Sequence, residues 1–170
     1  MTPDQATFLA EQYVSTMGNE IPTTVKVLKA VPDSAWSYRP DDKSRTAGEL
    51  AKHIAQSDVW FVEGVINGEY VFDKEKAGAL LEGLGSTEAI VAYYEKAMPD
   101  ALARVRAMPA DDLTRAVNFF GMVTQPAVGF LAMANNHGIH HRGQLAAYLR
   151  AMGAKVPAIY GPSGDEPVTR

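Results

Sequence analysis

The sequence predicts an all-α fold, a four-helix bundle with long crossover connections, and three observations carry that expectation. Four long stretches repeat apolar residues at helical spacing. The links between them, about 15, 19 and 18 residues long, exceed the usual connection between bundle helices and leave room to cross over. Apolar residues make up 46% and charged residues 21% of the 170, an ordinary balance for a chain long enough to bury its own core.

The first helix is expected over about residues 3–30. Thr2 can cap it, Pro3 suits the first helical position, and Gln5 can complete a capping box. Phe8, Val14, Met17, Ile21, Val25 and Leu28 follow at helix-like spacing, with a bend expected near Gly18 to Pro22. Val31-Pro32 ends the helix, and residues 31–45 read as an irregular connection in which Trp36 and Tyr38 are packing aromatics. Thr46-Ala47-Gly48-Glu49 repeats the capping-box pattern and opens a second helix, about residues 46–66. Leu50, His53, Ile54, Ser57, Trp60, Phe61 and Gly64 share one face of it, and Asn67-Gly68 stops it.

Residues 68–85 read as a long mixed connection. Ser86 or Thr87 then starts a third helix, about residues 86–107, with Glu88 near its positive end. Ile90, Tyr94, Ala97, Ala101 and Val105 mark its buried side, and Pro99 should bend it. Val117 to Val123 reads as a short extended segment turning at Gly121. Pro126 opens the fourth helix, about residues 126–152, which Gly153 caps, and a polar tail, 153–170, follows. Its inward stripe runs through Phe130, Ala134, His137, His141, Leu145, Tyr148 and Met152, so two histidines fall in the middle of the core face.

His137 and His141 are four residues apart, which places both imidazoles on one helical face. His53 points inward from the second helix. Such histidines may be read in two ways, as core side chains each satisfied by one hydrogen bond or as ligands of a shared metal. Burying three imidazoles costs free energy unless each finds a partner, and one ion can satisfy all three. His140 falls on a different face and is expected to be a surface group or a support to the ligands. Arg142 and Gln144 read most simply as exposed helix polars, although either could orient a ligand carboxylate or a histidine's outer nitrogen. HGIHH shares its histidine spacing with the zinc-protease motif HExxH, but Gly138 stands where that motif has its glutamate base, which argues against protease chemistry.

Other classes are disfavoured by composition. The chain has no cysteine, so metal ligands must be nitrogen or oxygen and neither a disulfide nor a thiolate nucleophile is possible. A net charge of −4 with scattered basic residues leaves no footprint for nucleic acid. The first residues lack the basic start of a signal peptide, and the longest apolar run, Ala127 to Ala134, is far below the roughly 20 residues of a membrane span. A cytoplasmic location is the expectation. No nucleotide-binding or serine-hydrolase motif occurs.

The run NNHGIHHRGQLAAYLRAMGAKVPAIYGPSGDEP, together with RTAGELAKHIA upstream, closely resembles the signature segments of the DinB/YfiT-like family of metal-dependent proteins. The resemblance extends over the chain, so residues 1–170 are expected to form a single DinB-like domain. It implies a four-helix bundle with crossover links and a metal held by three histidines, at positions corresponding here to His53, His137 and His141. It further implies zinc or nickel as the metal and a homodimer as the assembly. Some relatives transfer low-molecular-weight thiols, such as mycothiol or bacillithiol, or use them in isomerisation. The family name refers to damage-inducible expression and implies no DNA binding.

The leading expectation is a metal-dependent enzyme acting on a small-molecule thiol or electrophilic substrate. Three neutral ligands would leave the ion positively charged, with open positions at which water or a thiol loses its proton more easily. No general base is assigned, because Asp58 and Glu49 on the second helix do not clearly aim at the histidines. The alternative is a non-enzymatic, stress-related bundle that binds a metal or ligand.

Overall fold

The computed structural model of the chain describes residues 1–167; the last three positions of the expected tail lie outside the described residues. Side-chain caps set where the long helices begin. Thr2 closes a capping box with Gln5 ahead of α1 (Pro3–Lys29), and Thr46 closes a second with Glu49 ahead of α2 (Ala47–Asn67). Ser86 caps α4 (Thr87–Arg106) by accepting from the Ala89 amide. Gly68, at φ 72°, ends α2 in the left-handed conformation that glycine adopts without strain. Beyond α6 (Phe130–Ala151), Gly153 donates to the Arg150 carbonyl and Ala154 to that of Leu149, the paired bonds of a Schellman stop.

The four long helices form a ring. α1 packs on α4 and α6, and α2 packs on the same two helices from the other side. Of the consecutive pairs, α1 with α2 and α4 with α6 therefore lie diagonally opposite, so the links that join them cross over, while α2 and α4 are adjacent. The link from α1 to α2 is pinned by Trp36, whose indole donates to the Thr87 hydroxyl and whose ring lies against Gly48.

Three parts of the connections are more ordered than their sequence suggests. α3 (Lys74–Gly83), capped by Asp73, occupies most of the expected irregular stretch 68–85. It buries no residue fully and depends on contact with α2. α5 (Ala110–Thr114) is one turn. The extended segment is one arm of a hairpin, β1 (Ala116–Phe119) against β2 (Val123–Pro126), antiparallel with Phe119 opposite Val123. It turns at Gly121, as expected, with both Phe120 (φ 51°) and Gly121 (φ 74°) left-handed. Pro126 consequently ends a strand and does not open the fourth helix. A 3-10 turn at Ala127–Gly129 separates it from α6.

The core lies inside the ring, but some stripes are displaced from the expected ones. On α1, Ala6, Ala10, Val14 and Met17 face inward, while Phe8 is 64% exposed. A step of two residues turns the helix by roughly 200°, which carries Phe8 away from the buried line through Ala6 and Ala10. On α6, the centre of the buried stripe is Ala134, Gly138, Arg142, Leu145 and Leu149. His137 and His141 are half-buried at its edge instead of central, because that edge borders a cavity.

Gly64 shows how closely the aromatic end is packed. A Cβ there would lie 2.1 Å from the buried ring of Tyr70, whose hydroxyl donates to the Phe61 carbonyl. Alanine in an exposed helix stabilises relative to glycine by about 1 kcal/mol, so Gly78→Ala, with open space around it, is expected to raise the melting temperature. Gly64→Ala should do the opposite, losing about 1–3 kcal/mol through overpacking, in thermal melts followed by circular dichroism.

Candidate metal centre

α2 and α6 are neighbours, and the helical repeat brings His53 on one opposite His137 and His141 on the other. One ligand atom from each of the three histidines lies within 4.8 Å of the other two. The Nε2 atoms of His53 and His141 are 3.2 Å apart. Two nitrogens bound to one tetrahedral zinc at about 2.0–2.1 Å would be roughly 3.3 Å apart, so the donor spacing fits an ion. His140, one residue from His141, is exposed and turned outward, its ring edge-on to that of His141.

The protonation states fit as well. Burial pushes His53 down to about 3, assisted by the positive charge of Arg45 and by the two neighbouring histidines. Burial also lowers His141; the bond from Gln144 opposes that shift, and the charges of His137, His140 and Arg45 add to it. Neutral imidazole is the form that ligates. The Nδ1 of His141 lies 2.6 Å from the Gln144 amide oxygen, so Gln144 takes the orienting role and directs Nε2 toward the cluster.

His137 has a different support, which the sequence reading did not identify. Asp58 on α2 is 4% exposed, and its Oδ1 lies 3.8 Å from His137 Nδ1. Both atoms are buried and neither has another hydrogen-bond partner. A displacement of about 1 Å would make the Nδ1–H to carboxylate bond that commonly holds a metal-ligating histidine in place. The other oxygen of Asp58 accepts from the Tyr94 hydroxyl at 3.0 Å, and burial, followed by the charge of Asp58, raises Tyr94 so that it keeps the proton it donates. Gly138 makes the arrangement possible. A Cβ there would meet the Asp58 carboxylate at 2.9 Å, so the glycine in HGIHH is the space into which the carboxylate of α2 fits. Asp58 does aim at the histidines, contrary to the expectation from helix facing.

Arg142 also departs from expectation. It is 1% exposed, donates to the Thr24 hydroxyl at 3.1 Å and pairs with Glu20 at 2.6 Å. Tyr160 from the tail bonds both Arg142 and Glu20. Arg142 thus ties α6 to α1 and to the tail and does not reach the histidines' outer nitrogens.

His53 and His137 open onto a cavity of about 560 Å³. Trp60, Phe61, Phe72 and Leu81 form its apolar wall, and Arg45, Glu49 and Lys52 its charged side. The Glu49 carboxylate is engaged by the Thr46 amide at 2.8 Å in the helix cap, which with the Thr46 hydroxyl lowers its pKa and leaves it anionic. The hairpin extends the aromatic wall, with Phe119 stacked on Phe61 and Phe120 on Trp60.

These features define a helical-bundle protein whose three histidines could hold a metal ion beside a ligand-sized pocket. The sequence profile of the DinB family matches residues 5–168, and the chain belongs to that family. The uncharacterized protein YjoA of Bacillus subtilis is 32% identical over 149 residues, covering 85% of this chain and 91% of YjoA. YrdA of the same organism is 24% identical over 157 residues, covering 92% and 90%. The crystal structure of a DinB-like protein from Bacillus cereus superposes with a TM-score of 0.69 at 28% identity, covering 88% of this chain and 97% of that one. That of the DinB-like YjoA gives 0.58 at 26%, covering 86% and 95%.

The unfolded chain binds a proton on His53 near 6.5 and the folded one only near 3, so acidification between those values favours unfolding. Metal-free protein is therefore expected to lose thermal stability as pH falls from 6.5 toward 4, with His53→Gln flattening that dependence in pH-resolved melts. Asp58→Asn should weaken metal affinity roughly 10–100-fold in chelator competition, with the fold retained by circular dichroism.

Proposed function

We propose that the protein is a metal-dependent enzyme that binds a divalent ion, zinc or nickel, through His53, His137 and His141 and acts on small molecules admitted by the adjoining pocket. The observation that carries this reading is the convergence of three imidazoles, without a carboxylate in the ligand group, beside a cavity of about 560 Å³. A structural zinc site normally closes its fourth position with a protein ligand, whereas a catalytic one keeps it open. The non-enzymatic alternative would suit a site sealed inside the bundle, and these histidines border a space of ligand size instead.

Transfer of a low-molecular-weight thiol to an electrophile is the reaction we assign. The S–H bond breaks, sulfur forms a new bond to the electrophilic carbon, and the leaving group departs from that carbon with its bonding pair, balanced by the released proton. A bound divalent ion would supply Lewis acidity that favours the thiolate at neutral pH. Asp58 and Gln144 hold His137 and His141 in orientation, and the Trp60, Phe61 and Phe72 wall keeps water from one side of the substrate. We take residues 1–170 as one working unit, because its ligands come from α2 and α6 and the family match spans nearly all of it. Among the described residues no helix is long and apolar enough to cross a membrane, and a cytoplasmic location is part of the proposal. A homodimer without nucleic-acid or membrane partners completes the proposal.

Elemental analysis of protein purified without a metal-affinity resin tests the reading. Near-stoichiometric zinc or nickel is expected in the wild type, with its loss in His53→Ala. A wild-type protein that carries no metal and takes none up would sink the metal site. Consumption of free thiol in the presence of an electrophile, dependent on metal and lost in the same variant, tests the reaction.

A further inference from the structure

The charged side of the pocket is chemically distinct from the rest of the molecule. The chain carries a net charge of −4, yet two cations and one anion line this mouth. Arg45 is exposed and makes no ion pair or hydrogen bond among the described residues. It is near enough to His53 for its charge to be the second cause, after burial, that keeps that imidazole neutral. Lys52 donates one N–H to the Leu81 carbonyl at 3.0 Å and rests over the Trp36 ring, which fixes its ammonium while leaving two donors. The single anion, Glu49, is engaged in its helix cap. The same pocket is lined by Trp60, Phe61, Phe72 and Leu81, with Phe72 56% exposed.

We infer that the pocket takes an amphiphilic carboxylate, its aryl or alkyl body lying on Trp60, Phe61, Phe72 and Leu81 and its carboxylate held by Arg45 and Lys52. The inference rests on the reading of this pocket as the approach to the metal site and specifies the substrate class that site receives. A guanidinium offers paired N–H donors matched to a carboxylate, and an ammonium adds a point charge beside it. A neutral ligand of the same shape would fill the apolar wall and leave Lys52 without an anionic partner and Arg45 with only the capped Glu49 carboxylate nearby. The cavity volume falls within the range of small-molecule sites, so an aryl or short alkyl acid fits without reshaping the bundle.

The test compares 4-phenylbutyrate with 4-phenylbutyramide by isothermal calorimetry on the whole protein, first chelator-treated and then metal-loaded. The chelated protein isolates the rim, since a bare carboxylate could otherwise bind the ion itself. The acid is expected to bind roughly five-fold more tightly than the amide, with the preference shrinking as salt is raised. In the Arg45→Gln/Lys52→Gln double variant the preference should fall to near unity, while helicity and metal content match the wild type. Equal affinities, a preference unchanged in the double variant, or no measurable binding of either compound overturns the inference. A preference that follows Arg45 and Lys52 in a protein unable to take up metal upholds the inference and removes the metal reading alone. Normal metal uptake with acid and amide bound alike removes only the inference.

Discussion

The carboxylate of Asp58 is the constraint on which the arrangement of the helices depends. A carboxylate withdrawn from water in a bundle interior is costly unless donors surround it. Here its neighbours come from different helices: α4 provides the Tyr94 hydroxyl that donates to it, and α6 brings the Nδ1 of His137 to 3.8 Å from its other oxygen. α6 can approach only because position 138 has no side chain. The spacing of α2 and α6 that lets three imidazoles meet is thus set by a polar group one layer behind them. A wider separation would leave Asp58 without its neighbours, and a narrower one would drive its oxygens into the α6 backbone.

Arg142 plays the matching part on the α1 side. Its guanidinium, bonded to Thr24 and paired with Glu20, joins α6 to α1 by interactions with strict directions. Buried charges of this kind are not strong evidence of stability, but losing one partner leaves the other unpaired at a cost of about 3–5 kcal/mol. Tyr160 contacts both members of the pair and so fastens the segment beyond α6 against α1. Directional polar contacts on both flanks of α6 restrict its rotation, where apolar packing alone would tolerate a small turn.

Much of this was legible from local chemistry. The Thr2, Thr46 and Ser86 caps and the Gly68 stop are decided within four residues of sequence, and all lie where capping rules put them. The three histidines could be gathered from a four-residue spacing, an inward face and a family signature. What escaped depends on groups distant in sequence. Asp58 was passed over because its facing was judged on α2 alone, while its purpose is visible only once Gly138 and Tyr94 surround it. An arginine in a polar helical run reads as exposed, and the α1 partners that bury Arg142, Thr24 and Glu20, are more than a hundred residues away. α3 buries no residue fully, so it offered no strong apolar stripe to read. Pro126 suits the first position of a helix, but the partner that makes it a strand residue, Ala116, becomes visible only once the hairpin pairs.

The diagonal placement of consecutive helices bears on how the protein reaches its native state. α1 and α2, like α4 and α6, face each other across the bundle, so of the consecutive long helices only α2 and α4 can pair as a local hairpin. Docking α1 and α6 onto that pair closes larger loops, and contacts of that kind slow folding through the entropy they must overcome. His53 and His137 lie on opposite sides of such a loop, with all of α4 between them. A nascent chain therefore holds no foothold for an ion until nearly all of it has been synthesised. An ion held by all three histidines would be confined to the finished bundle.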